Sequence, residues 1–532
     1  MTDRFLRNCA VAIALFAVVL FAGIRYRLRA MPLERDEGEY AYVGQLMLEG
    51  IPPYESAYTM KLPGTHAAYA VIMKVFGETA SGIHLGFLAV NAATTLLLFL
   101  LCSRLFGDLA AGVAAASYAL LSTSIYVLGL AAHATHLVVL AAVAGLLVLQ
   151  EAIDARRMWL LFASGVLFGL AALMKQPGVF FLAFGALYLL RKGASRSPGR
   201  QARVASMAVF LLAGTIPFAI VCLLMLKLGI FQKFWFWVFT YAAQYGSEVP
   251  AQVAVLLFAR GVHQVAGSLW WIWLIALVGL TAPLWCKRAR EHAFFTTLLL
   301  LFSFLAVCPG LYFRPHYFIL ILPAVAMLIG LAVSCATEKL LVRRGSRVLA
   351  AVPLLAFLAA WVFAVSAQRY FFLQMEPLTA CRDLYPYSPF VEAPDVAAFL
   401  ERLTPPGARI AVLGSEPEIY FYSHRRAATG YLYTYSLLES QKYVRDMQNE
   451  MIAEIEAARP EYLIYVDVPT SWAPNPHPDL YVVDWAIRYL RQNCELVTVD
   501  HGLSRALHVP ETDSINDPLG SWNVYVYKRK GS

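Results

Sequence analysis

Eleven stretches of this chain are apolar enough, over a sufficient length, to be read as helices crossing a bilayer. They lie near residues 8–24, 84–103, 109–129, 133–150, 158–174, 177–190, 204–226, 265–285, 293–308, 316–335 and 348–367. A hydrocarbon core about 30 Å thick takes roughly 20 mostly apolar residues per helix. Inside it every backbone N–H and C=O must be satisfied within the segment. The expected fold is therefore an α-helical polytopic membrane protein with about eleven transmembrane helices.

Charge divides the chain in two. The first 367 residues carry 28 basic and 14 acidic side chains, and the last 165 carry 15 and 21. Residues 1–367 read as a transmembrane domain with a long loop at 25–83, and residues 368–532 as a soluble domain. With 59% of residues hydrophobic and 15% charged, a disordered chain and a nucleic-acid-binding protein are both excluded.

Sidedness follows from the basic residues of the short loops: Arg156 and Arg157; Arg191, Lys192, Arg196, Arg200 and Arg203; Lys287, Arg288 and Arg290; Lys339, Arg343, Arg344 and Arg347. The positive-inside rule makes their side cytoplasmic. The amino terminus is then cytoplasmic and the carboxy-terminal domain external, in the periplasm or extracellular space of a cell with an inner or plasma membrane. Arg25, Arg27 and Arg29 oppose this locally, because they follow the first span on the external side. The first run is not followed by a small-residue cleavage pattern before Met31-Pro32 and reads as a retained helix. The eight cysteines show no metal-type spacing and no disulfide framework; most lie in apolar runs as buried thiols, and only Cys308, Cys381 and Cys494 could meet an oxidising compartment, where Cys381 and Cys494 could pair.

From Ala393 onward helical and extended patterns alternate. Helices are expected at 393–403, 416–423, 436–458 and 479–492, with strands at 408–413, 461–467, 494–499 and 522–528, so this part reads as a small α/β layer fold. Val412-Leu413-Gly414-Ser415 lacks the spacing of a phosphate-binding turn. Pro469 to Pro478, with Trp472, reads as an ordered loop that either touches substrate or covers a sheet edge.

Six of the 14 acidic residues of the membrane part fall between Glu34 and Glu55, interleaved with Tyr, Gly and Pro. A pocket at the lipid surface explains that pattern better than a solvated loop does. An external site beside the bilayer meets no ATP or nucleotide sugar, so group transfer there draws on a group already activated on a lipid, such as a sugar on a polyprenyl phosphate. Displacement at the anomeric carbon needs a carboxylate to take the proton of the attacking hydroxyl and cations to hold the departing phosphate. Asp36 or Glu37 can supply the first, and Lys61, Lys175 and Arg314 the second.

These residues carry a resemblance. The Asp36-Glu37 pair after the first span resembles the acidic motif of the GT-C glycosyltransferases, in particular bacterial relatives of protein O-mannosyltransferases and of the lipid A aminoarabinose transferase. Lys61-Leu62-Pro63 looks like their Lys-Pro-Pro element. Gly169-Leu170-Ala171-Ala172-Leu173-Met174-Lys175-Gln176-Pro177 is similar to a Gly-Leu-x-x-x-x-Lys-Gly-Pro segment, and Arg314-Pro315-His316-Tyr317 with Leu322-Pro323 to an Arg-Tyr-x-x-Pro stretch. The resemblance implies Asp36 as base, Glu37 supporting it or binding a cation, and Lys61, Lys175 and Arg314 on the lipid phosphate. Members near the aminoarabinose transferase have a metal-binding Glu before this Lys, where this chain has Met60. The cofactor therefore stays unknown, with a divalent metal left open.

Other polar residues carry two readings. His133 and His136, three apart, could line the cavity or serve helix packing. His316 could help hold phosphate or sit at the interface. Tyr54 and Tyr58 could bond a sugar or pack the loop. Residues 227–263 read as interfacial helices whose aromatics, Trp235, Trp237, Tyr241 and Tyr245 among them, either anchor the membrane or stack on a sugar, while Arg260 and His263 could meet substrate.

The leading expectation is an inverting glycosyltransferase of the GT-C fold. It would move a hexose or pentose from a polyprenyl-phosphate-linked donor to a hydroxyl of a lipid, glycan or protein acceptor, with membrane lipids as surroundings and no nucleic-acid partner. A multi-span transporter or lipid flippase is the alternative, weakened by the absence of a second copy of the acidic loop. A membrane-anchored receptor is the third reading.

Overall fold

The computed structural model describes residues 3–196, 199–344, 346–473, 478–509, 511–513 and 520–531. Each of the eleven apolar runs coincides with a helix. Those used below are α1 (Asp3–Arg27), α2 (Arg35–Leu48), α3 (Pro63–Phe76), α4 (Ala80–Phe106), α5 (Asp108–Thr123), α6 (Ala134–Ala155), α7 (Met158–Met174), α8 (Val179–Arg196) and α9 (Arg200–Lys227). Among the described residues seven segments are long and apolar enough to cross a membrane, and α7 and Ala293–Val307 are shorter apolar helices. α5 explains part of the difference from eleven, because at 16 residues it is buried along almost its whole length among its neighbours.

Small residues let these helices approach. A Cβ on Gly165 or Gly169 of α7 would stand 2.4 Å from the Phe210 carbonyl oxygen or 2.3 Å from that of Gly214, both on α9. These glycines therefore serve packing within the chain. The opposing Arg25 and Arg27 are also accounted for. Arg25 is buried and donates to the carbonyls of Ser122 (3.0 Å) and Gly129 (2.6 Å), and Arg27 donates to those of Phe371, Phe372 and Met375. They are clamps on backbone carbonyls and say little about sidedness.

α4 relates the two ends of the bundle. His84 in its first turns meets Glu37, whereas the carbonyl of its last residue, Phe106, accepts from Arg288. A helix of 27 residues spans about 40 Å, so the acidic loop and the basic loops lie a membrane's thickness apart.

The carboxy-terminal part holds a five-stranded sheet in the order β2-β1-β3-β5-β4, with β1 Arg409–Leu413, β2 Arg426–Ala427, β3 Tyr462–Asp467, β4 Cys494–Asp500 and β5 Asn523–Arg529. β1 pairs in parallel with β2 and β3, and β5 is antiparallel to β3 and β4. β3 is buried throughout, as an apolar central strand covered on both faces should be. The long helix expected at 436–458 begins at Val444. Residues before it instead form a short turn at Tyr435–Leu437 and an irregular segment packed on Phe236–Tyr241, where Glu439 accepts from the Tyr241 hydroxyl at 2.6 Å and Tyr443 meets the Phe236 ring.

Three readings left open by the sequence resolve here. Cys381 and Cys494 are both buried and free, in separate cores, and the bonded pair is Cys286–Cys335. Pro469–Trp472 is a short helix whose Trp472 is fully buried and donates to the Val466 carbonyl at 2.8 Å, so this indole supports the sheet and faces no substrate. The rest of that loop, residues 474–477, lies outside the described residues. Trp237 and Tyr241 are buried against protein, with Trp237 stacked on Tyr58 at 5.5 Å, whereas Trp235 stays exposed as an anchor would.

Candidate active site

α2 starts the site. Glu34 caps it, its side chain accepting from the Glu37 amide while Glu37 reaches back to the Glu34 amide, a reciprocal capping box. That box turns Glu37 inward. Its carboxylate also accepts from His84 Nε2 at 2.9 Å and from the Ala132 amide at 2.5 Å, and it is fully buried. Glu37, expected beside the chemistry, is thereby committed to holding the loop together. Burial alone would raise its pKa, but His84 and the two amides outweigh burial and lower it.

Asp36, one residue earlier, points the other way, into a cavity of about 220 Å³. Lys61, Lys175, Arg314, His316, Tyr317, Tyr245 and Tyr435 share its walls. Asp36 lies in the first turn of α2, where the helix dipole favours a negative charge. Burial pushes its carboxyl pKa up, but the Lys61 ammonium beside it holds it well below the ordinary carboxylate range.

Lys61 is pinned from its backbone outward. Its amide donates to Thr59 Oγ1 at 3.2 Å, and its carbonyl accepts from the Tyr54 hydroxyl at 2.7 Å. Gln176 Nε2 donates to the preceding Met60 carbonyl at 2.8 Å. The ammonium donates to Asp36 Oδ1 at 2.7 Å and to the Tyr433 hydroxyl at 3.1 Å, and it forms an ion pair with Glu39. Glu39 is three residues after Asp36 on the same face of α2, and its other oxygen is 2.9 Å from His66 Nε2. Against burial, Lys61 and His66 lower the Glu39 pKa to about 2.

Lys175 ends α7 in extended conformation, with its ammonium 4.3 Å from the Tyr317 ring centre. Burial, with Lys61 and Arg314 nearby, brings its pKa down to about 8 despite Asp36. Arg314 is also extended, as a residue before proline must be. Its guanidinium donates to the Tyr245 hydroxyl at 3.3 Å. Lys61 thus spends its protons on the protein, whereas Lys175 and Arg314 face the cavity with few fixed partners.

His133 and His316 stack face to face, ring centres 4.1 Å apart, beside Asp36. Ligand-type atoms of Asp36, His133 and His316 all lie within 4.8 Å of one another. Neither ring nitrogen of the buried His133 has a hydrogen-bond partner. A carboxylate and two imidazoles suit a cation such as zinc.

Other expected residues stand apart. His136 is buried and bonds the Gly129 carbonyl at 3.1 Å, away from the cavity. Arg260 and His263 are exposed on the helix Ala251–Ala266. Tyr54 packs behind Lys61. Tyr58 lines an adjoining aromatic cleft with Trp237, Tyr241, Tyr431 and Tyr433, beside the π-helical turn Phe236–Tyr241. Tyr245, read as a membrane anchor or a sugar platform, lines the cavity. The sequence reading missed Glu39, Tyr433 and Tyr435. Only Glu39 carried a local signal, its spacing from Asp36.

Over 97% of both chains the structure matches that of ArnT from Cupriavidus metallidurans bound to undecaprenyl phosphate, with a TM-score of 0.56 and 15% identity. The chain has the GT-C fold. Its match to an Archaeoglobus fulgidus oligosaccharyltransferase in complex with Zn and sulfate covers 96% of this chain and 88% of that one, with a TM-score of 0.54 and 12% identity. The GT-C likeness extends to the archaeal oligosaccharyltransferase AglB of the same organism, in complex with an inhibitory peptide and a dolichol-phosphate. That match has a TM-score of 0.50 and 13% identity, over 85% of this chain and 69% of that one. Residues 61–225 match the family described as dolichyl-phosphate-mannose-protein mannosyltransferase, a stretch that includes Lys61 and Lys175 but neither Asp36 nor Arg314. No curated protein matches the chain by sequence. Its apolar helices and this fold make it an integral membrane protein.

Proposed function

We propose that the protein is an inverting glycosyltransferase that moves a sugar from a polyprenyl-phosphate donor to a hydroxyl acceptor at the external membrane surface. One observation carries the reading: a single cavity brings the Asp36 carboxylate together with Lys61, Lys175 and Arg314. The acceptor oxygen attacks the anomeric carbon and gives its proton to Asp36. The bond from that carbon to the phosphate oxygen breaks, and the electron pair leaves with the lipid phosphate. Lys175 and Arg314, having donors to spare, neutralise the departing anion in a partly water-excluded site. Lys61 keeps Asp36 ionised until donor arrives. Held by Asp36, His133 and His316, a divalent cation would add positive charge beside the phosphate.

The ArnT match, whose counterpart binds undecaprenyl phosphate, supports a lipid phosphate donor. The external assignment rests on the basic loops at the opposite end of the bundle. The test supplies undecaprenyl phosphate carrying labelled hexoses or pentoses to purified protein and follows release of undecaprenyl phosphate. Turnover of at least one donor, abolished in Asp36→Asn, is expected, and lipid translocation without sugar release would favour a flippase.

A further inference from the structure

Lys61 has three ammonium protons, and the protein provides three acceptors for them: Asp36, Glu39 and the Tyr433 hydroxyl. The third comes from far away in sequence. Tyr433 belongs to the segment that follows β2 in the carboxy-terminal part. Its hydroxyl lies 2.9 Å from Glu39 Oε2, to which it donates, while accepting from Lys61. Lys61, Glu39 and Tyr433 therefore close a triangle, and Asp36 is bonded to its Lys61 corner at 2.7 Å and lies 3.5 Å from its Tyr433 corner.

The segment is held firmly enough to place that hydroxyl. The Gly430 carbonyl accepts from the Tyr58 amide at 2.6 Å, and the Gly430 amide donates to Glu454 at 2.9 Å. The Thr434 amide donates to Ser415 Oγ at 2.9 Å, and Ser415 is fixed in turn by Ser471. The Tyr433 ring stacks at 5.0 Å on Tyr435, which lines the cavity. A tyrosine recruited only to fill space would need neither the carboxylate nor the ammonium that its hydroxyl meets.

Resting on the transferase reading above, we infer that Tyr433 and Glu39 are positioning residues that seat Lys61 against Asp36, so that the carboxy-terminal part is a portion of the transfer site. Glu39 gives Lys61 a permanent counter-charge. Tyr433 satisfies the carboxylate oxygen that would otherwise draw Lys61 off Asp36. When a lipid phosphate enters, Lys61 can exchange one acceptor for it and remain held by the other two. The arrangement acts on the bonding step and leaves donor capture to Lys175 and Arg314.

The test uses full-length protein in detergent, the undecaprenyl-phosphate-linked sugar that wild type consumes, and undecaprenyl phosphate itself as binding probe. Tyr433→Phe keeps the ring and removes the hydroxyl. The expected result is a kcat lower by about tenfold, the order lost with one hydrogen bond to a charged group. KM, undecaprenyl phosphate affinity and melting temperature should stay near wild type. Glu39→Gln should show the same split between kcat and KM. Unchanged kcat in Tyr433→Phe overturns the inference, as does a fall in kcat matched by loss of affinity and of melting temperature, which would mark a packing role. Asp36→Asn separates the two levels. If it remains active the transferase reading fails, and if it is inactive while Tyr433→Phe behaves as wild type, only the seat for Lys61 fails.

Discussion

The ammonium of Lys61 lies 2.7 Å from Asp36 Oδ1. On the proposed reading, this pair keeps Asp36 ionised at rest, and Asp36 would become a stronger base once Lys61 exchanged it for an arriving phosphate. Asp36→Asn keeps the shape and removes the proton acceptor. Turnover of a lipid-linked sugar should fall by about 10²–10⁴-fold, the usual weight of a positioned base. The variant should remain folded, since Lys61 retains Glu39, and should still bind undecaprenyl phosphate. Release of labelled lipid phosphate measures the loss, and turnover within tenfold of wild type would remove Asp36 from this role.

If Lys175 holds the lipid phosphate as proposed, capture should be sensitive to mild alkali. Burial brings its pKa to about 8, so the ammonium is charged below that pH and loses its proton above it. Undecaprenyl phosphate affinity should therefore fall, by up to about tenfold, as pH rises from about 7 to about 9. In Lys175→Arg the guanidinium stays charged throughout, and the dependence should flatten. Equilibrium binding across this range decides it. An equal slope in both proteins would place the titrating group elsewhere.

Glu37 should prove to be a stability residue. Its buried carboxylate accepts from His84 and from the Ala132 and Glu34 amides, and Glu37→Ala leaves those donors without a partner. A loss of about 3 kcal/mol is expected, read as a lower melting temperature in detergent. Burial raises the Glu37 pKa but its partners lower it further, so its native value lies below the unfolded one. The stabilisation is then present above the unfolded carboxyl pKa and is lost as pH falls through the native value, so the gap between wild type and variant should narrow in acid. A gap that widens in acid would contradict the assignment.

Much of this was legible in the chain. The apolar runs mark the helices because lipid leaves a spanning backbone few alternatives. Asp36, Lys61, Lys175, Arg314 and His316 were singled out, and one cavity gathers them. The opposite orientations of Asp36 and Glu37 were not legible, because adjacent helix residues diverge by about 100° and only the capping box and the His84 contact decide which one turns inward. Tyr433 was hidden for another reason. It reaches Asp36 and Lys61 only because the sheet docks on α2, and no periodicity records a contact nearly 400 positions long. Trp237 misled because an aromatic near an interface reads as an anchor until its stacking partner, Tyr58, is seen.

The docking of the sheet on α2 gives a last prediction. Gly38 faces the start of the helix Glu418–Ser423, and a Cβ there would stand 2.7 Å from the Glu418 amide nitrogen and 2.9 Å from its Cα. Backbone atoms cannot swing aside as a flexible side chain can, so Gly38→Ala must part the two elements. Arg35, which bonds the Ser415 carbonyl at 2.7 Å, and Tyr433 would move with them. Overpacking of this kind costs about 1–3 kcal/mol, and a shift of even part of an ångström at Tyr433 should lower turnover by on the order of tenfold. Lys175 and Arg314 come from elements outside this contact, so undecaprenyl phosphate affinity should be kept. Gly23, whose Cβ direction is open, is the control, and Gly23→Ala should be silent. Wild-type turnover in Gly38→Ala would show that the transfer site tolerates displacement of the sheet.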